Sequence, residues 1–80
     1  MDGDEVFETV KALLVEHLGV PEDDVTRDAT FKGTFEADSL DLVELVMEME
    51  DRFGIAITDE EARRLLSVGD VVEFVTERAP

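Results

Sequence analysis

The sequence predicts an all-α fold: a small four-helix bundle of three main helices and one short one, with a long structured loop between the first and second helices. Three observations carry this expectation. Apolar residues recur at three- and four-residue spacings in separate segments. Gly19 and Gly54 stand where two of those patterns stop, supplying the left-handed residue that ends many helices. Asp38, Thr58 and Ser67 are each followed three residues later by an acid, the sign of a capped helix start.

From about Asp4 to Leu18, the residues Phe7, Val10, Leu14 and Leu18 share one helical face, widened by Val6 and Leu13. Gly19 supplies the stop, and Pro21 keeps the helix from resuming. A polar stretch from Val20 to Ala37 follows, and structureless connections of that length are uncommon in compact domains. Val25, Phe31 and Phe35 can pin it to the bundle, making it a structured crossover that delivers the chain to Asp38. The second helix runs from Asp38 to Phe53, with Asp38 as its cap and Asp41 at the third helical position. Thr58 with Glu61 opens a short helix through about Leu66, expected to bury Ala62, Leu65 and Leu66. Ser67 with Asp70 opens the last helix, which carries Val68, Val71, Val72, Phe74 and Val75. Several of these are β-branched, so a strand competes there. The Ser67 cap and the Val71–Val75 spacing favour helix.

Eighty residues suffice for one domain and not for two, so residues 1–80 read as a single domain. An apolar fraction of 44% excludes a wholly disordered chain. Without cysteine there is no disulfide, zinc ribbon or thiol catalysis, which suits a reducing compartment. The acidic start is the reverse of a signal peptide, and no run approaches a membrane span. A cytoplasmic monomer without membrane insertion is expected. Seven basic and twenty-two acidic side chains leave a net charge of −15. Such a surface repels nucleic acid and attracts proteins with basic patches.

Set on a wheel at roughly 100° per residue, the second helix divides into three stripes. Leu42, Leu45, Val46, Met49 and Phe53 form the core face. Leu40, Val43 and Met47 cluster about a third of a turn away, and Asp41, Glu44, Glu48 and Asp51 fill the opposite side. The second apolar stripe either widens the core face or forms a docking strip, with apolar contacts for affinity and carboxylates for steering. Ser39 occupies the first helical position, where its hydroxyl faces the positive end of the helix dipole and free N–H groups tolerate a phosphate ester. Serine is also simply common at helix starts.

The run Ala37-Asp38-Ser39-Leu40-Asp41-Leu42-Val43-Glu44-Leu45-Val46-Met47 resembles the acyl carrier protein signature D-S-L-D-x-V-E-L-V-M. The likeness continues through Glu50 to Ile55, Ile57 to Ala62 and Val68 to Val72, and upstream through Leu18 to Val20 and Asp24 to Thr26. The resemblance implies that Ser39 carries 4′-phosphopantetheine, a covalent cofactor donated by coenzyme A through a carrier-protein synthase (a phosphopantetheinyl transferase). It implies that Asp38 caps the helix and is recognised by the modifying enzyme. Leu40, Asp41, Val43, Glu44, Met47, Glu48, Glu50 and Asp51 would meet basic patches on the synthase and on acyl-processing enzymes. The acyl group would slip between visits against Val46, Ile57, Ala62 and Leu65, chosen as inward-facing positions. The protein would be a carrier and not an enzyme, with type II fatty acid synthesis as its setting. A polyketide or specialised lipid pathway is the alternative. Two departures stand out: Glu36 occupies a position where the family often has glycine, and Phe35 precedes it in place of leucine.

Rival readings fail on inventory. The only histidine, His17, lies near the end of the first helix, and no G-x-S-x-G elbow surrounds Ser39. An acidic calcium-binding or interaction module lacks the EF-hand spacing, and no metal site is expected. A peptidyl carrier would show Gly-Gly-x-Ser, where this chain has Ala-Asp-Ser-Leu.

Overall fold

The computed structural model describes residues 2–79, in the order α1 (Gly3–Leu18), α2 (Ser39–Phe53), α3 (Asp59–Arg63) and α4 (Val68–Arg78), with a 3-10 turn over Glu22–Asp24. The fold is all-α; no strand occurs among the described residues, and the last segment is a helix. No helix there is long and apolar enough to cross a membrane.

Each helix starts where a side chain satisfies its otherwise orphaned N–H groups. The Glu5 N–H donates to Asp2 at 2.9 Å. Asp38–Asp41, Thr58–Glu61 and Ser67–Asp70 are reciprocal capping boxes. Gly19 (φ 68°) and Gly54 (φ 66°) end α1 and α2 in the left-handed conformation, which glycine adopts without a steric penalty. In the α3 box, the Thr58 N–H bonded to the Glu61 carboxylate, with help from Arg78, holds that carboxyl below the usual glutamate value of 4.5.

The core is one cluster. Val6, Val10, Leu13 and Leu14 of α1 meet Leu45, Met49 and Phe53 of α2 and Val68, Val71, Val72 and Val75 of α4. Helix α1 packs chiefly on α4 and then on α2. Val25 and Phe31 are buried as anchors of the crossover, and the Phe31 and Phe35 rings lie tilted with centroids 6.3 Å apart.

The crossover is held by more than its apolar anchors. The Phe31 N–H donates to the Leu66 carbonyl at 3.2 Å, the Val68 N–H to Ala29 at 2.9 Å and the Gly69 N–H to Arg27 at 2.9 Å. A Cβ at residue 69 would lie 3.0 Å from the Arg27 carbonyl, so glycine permits this close approach. These bonds zip the loop onto the link between α3 and α4.

That link departs from the sequence expectation. Helix α3 ends at Arg63, and Leu66, expected in the core, is 64% exposed. Its backbone is committed instead: the carbonyl to Phe31 and the N–H to the Asp70 carboxylate at 3.1 Å. The helical phase that would have turned its side chain inward is lost. Ala62 and Leu65 are half-buried.

Candidate functional site

The backbone turns from extended Asp38 (φ −90°, ψ 178°) into α2 at Ser39. The Asp41 N–H donates to the Asp38 carboxylate at 2.9 Å, and the Asp38 N–H to the Asp41 carboxylate at 3.3 Å. Because these two residues cap each other, capping makes no demand on the Ser39 hydroxyl. Ser39 is exposed, beside N–H groups that have no intrahelical acceptor and at the positive end of the helix dipole. An anionic ester on that oxygen would lie where anions are stabilised. Ser67, the only other serine, spends its hydroxyl accepting the Asp70 N–H at 3.1 Å.

Glu36 has φ 53°, alone among the described non-glycine residues in the left-handed region. A side chain there costs on the order of 1 kcal/mol. The glycine common at this position in carrier proteins would be free of that cost, so the departure noted in the sequence falls on a strained residue three positions before Ser39.

A cavity of ≈ 830 Å³ runs between α2, α3 and the crossover. Ser39 is on its lining, and so are Val46, Ile57, Ala62 and Leu65, the four residues expected to face inward together. Leu42 and Val46, on the core face of α2, are half-buried and border this space. Sequence reasoning missed Phe31 and Met49 as lining. Phe31 was legible only as a loop anchor, because its approach to α2 depends on how the crossover folds.

Along α2, Leu40, Val43 and Met47 are 67%, 55% and 59% exposed. The second apolar stripe therefore does not widen the core; it faces solvent. Of the acids expected beside it, Glu44 and Asp51 are exposed. Asp41 is occupied in the cap, and Glu48 lies 3.8 Å from His17 Nε2. Glu50 is half-buried, its carboxylate accepting the Ile57 N–H at 2.9 Å. His17 thus meets α2 near Glu48, nine residues from Ser39, which is about 13 Å along the helix. That is too far for a general base acting on the serine.

Comparison with known proteins bears on this geometry. The sequence family described as phosphopantetheine attachment site matches residues 8–75. Among solved structures, an acyl carrier protein from Enterococcus faecalis is similar at 33% identity and a TM-score of 0.84, over 99% of this chain and 100% of that one. The matched domain is the site of covalent 4′-phosphopantetheine attachment, and proteins of this kind carry rather than catalyse. With a family match over most of its length and an acyl carrier protein superposing across it, the chain belongs to the phosphopantetheine-binding family of acyl carrier proteins.

Proposed function

We propose that Ser39 is the attachment residue and that residues 1–80 form one monomeric, cytoplasmic carrier domain, most consistent with type II fatty acid synthesis. The observation that carries this reading is the meeting of an exposed hydroxyl at the α2 N-terminus with an apolar cavity that it helps to line. When bound, 4′-phosphopantetheine supplies a thiol that holds an acyl group as a thioester. The chain's own residues do the rest. Asp38 and Asp41 fix the helix start so that Ser39 is presented to the modifying enzyme. Val46, Ile57, Ala62 and Leu65 take the acyl chain out of water. Each buried methylene is worth about 0.8 kcal/mol, so six would contribute roughly 5 kcal/mol.

Proteins of this family interact with their synthase and with acyl-processing enzymes. In this chain we assign that contact to Leu40, Val43 and Met47, with Glu44 and Asp51 steering basic partners. The test of attachment is intact mass after incubation with coenzyme A and a phosphopantetheinyl transferase. Wild type should gain one arm, and Ser39→Ala should gain none while keeping its helical circular dichroism. A modified Ser39→Ala protein would overturn the assignment. Loading the holo protein with enzymes of fatty acid or polyketide synthesis in parallel separates the two pathways.

A further inference from the structure

Seven basic residues are set against twenty-two acids in this chain, yet two of the seven, Lys32 and Arg63, line the cavity that Ser39 lines. Lys32 comes from the crossover and Arg63 from the last turn of α3, so the pairing is made by the fold and not by sequence proximity. Both are exposed. The ion pairs among the described residues are Arg27–Asp4, Arg64–Glu60 and Arg78–Glu61, and His17 lies 3.8 Å from Glu48. Lys32 and Arg63 are in none of them. Two acids share the lining, Glu50 and Asp59. Glu50 is occupied by the Ile57 N–H, and neither acid pairs with Lys32 or Arg63. In so acidic a chain, two cations left unpaired beside the same cavity are placed to receive an anion from outside the polypeptide.

We propose that Lys32 and Arg63 form a cationic rim that binds an anionic oxygen group of the loaded arm at the cavity mouth. This rests on Ser39 being the attachment residue. Two sources carry that chemistry: the phosphodiester of the arm itself, and a carboxylate on a short dicarboxylic acyl group. Arginine offers a planar fork of donors suited to either, and lysine a point charge on a flexible stem. Ion pairs at exposed positions are weak singly, so the rim orients a group that is already tethered and does not capture a free one.

The test uses holo protein and holo protein loaded with malonyl or propionyl, which have equal carbon number and differ by one carboxylate. The readouts are the Arg63 Nε–Hε cross-peak and the ³¹P resonance of the arm. If the phosphodiester is the ligand, forming holo protein shifts the Arg63 peak, and the Lys32→Gln/Arg63→Gln variant shifts the ³¹P resonance. If a carboxylate is the ligand, malonyl shifts the Arg63 peak and propionyl does not. Either shift should shrink in about 1 M salt, where the Debye length is about 3 Å. The wild-type readings stand even if a variant folds poorly, and Lys32→Arg, which keeps both the charge and the Arg63 reporter, should keep the effect. No mass increment at Ser39 overturns both the attachment reading and the rim. An increment with no shift in any arm overturns the rim alone.

Discussion

The Glu50 carboxylate accepts the Ile57 N–H at 2.9 Å, tying the last turns of α2 to the segment that leads into α3. Both residues line the cavity, so this one bond sets the spacing of two of its walls. Ile57 is 7% exposed, and its N–H has little access to water.

Removing that acceptor should therefore be felt in both stability and cargo binding. Glu50→Ala leaves a buried donor unsatisfied, which costs about 1–3 kcal/mol. Glu50→Gln keeps an acceptor and should lose less. Urea denaturation of the three proteins checks the order, and an alanine variant as stable as wild type would refute the role. The stabilisation conferred by a loaded acyl chain should fall in Glu50→Ala as the walls loosen.

The solvent-facing strip of α2 makes a separate prediction about kinetics. Glu44→Lys or Asp51→Lys should slow association with the phosphopantetheinyl transferase by roughly threefold to tenfold at low salt and flatten its salt dependence. Val43→Ala or Met47→Ala removes about 1–2 kcal/mol of apolar burial, which should raise the dissociation rate roughly fivefold to thirtyfold. All four sites are exposed, so folding stability should change little. Surface plasmon resonance separates the two rates. Unchanged association of Glu44→Lys at low salt would remove the steering role.

These contrasts follow what the sequence could and could not reveal. The Asp38–Asp41, Thr58–Glu61 and Ser67–Asp70 boxes were legible because a cap and its partner lie three residues apart, within one turn. The place of Ser39 at the first helical position was legible for the same reason, while its proposed chemistry came only from the resemblance to acyl carrier proteins. Leu66 was misread because helical phase was extended beyond Arg63, whereas the bond from the Phe31 N–H holds the Leu66 carbonyl in a non-helical link. Partners 35 residues apart leave no periodic trace in the chain. Glu50 looked like another surface acid for the same reason: nothing local announces that the Ile57 N–H needs an acceptor.

The capping acid of α3 gives a pH signature. Bonding to the Thr58 N–H, and then to Arg78, depresses the Glu61 pKa in the folded protein below 4.5. Its charge therefore adds stability that is fully present above the unfolded value and is lost as pH falls through the folded one. Glutamine at this position keeps a capping-box side chain without the charge. Wild type should melt above Glu61→Gln at neutral pH, and the gap should close as pH drops below about 4.5. A gap that does not change with pH would mean that shape, not charge, carries the cap.

Net charge should limit the fold more than its ion pairs support it. The chain carries −15 within principal extents of 29 × 25 × 19 Å. The Arg27–Asp4 and Arg64–Glu60 contacts are 3.5 Å long, and their side chains are at least half exposed. Such pairs contribute about 0–1 kcal/mol each, so screening removes little attraction. Repulsion behaves differently. At 0.01 M salt the Debye length is about 30 Å, as long as the domain, and every acid feels every other. At 0.15 M it is about 8 Å, less than half the shortest extent, and only neighbours interact. Raising salt between these limits should raise the melting temperature, with each kcal/mol of relieved repulsion worth about 4–8 °C in a domain of this size. Differential scanning calorimetry at fixed pH measures it. A melting temperature that falls over that range would mean that the local pairs, and not the summed charge, govern this surface.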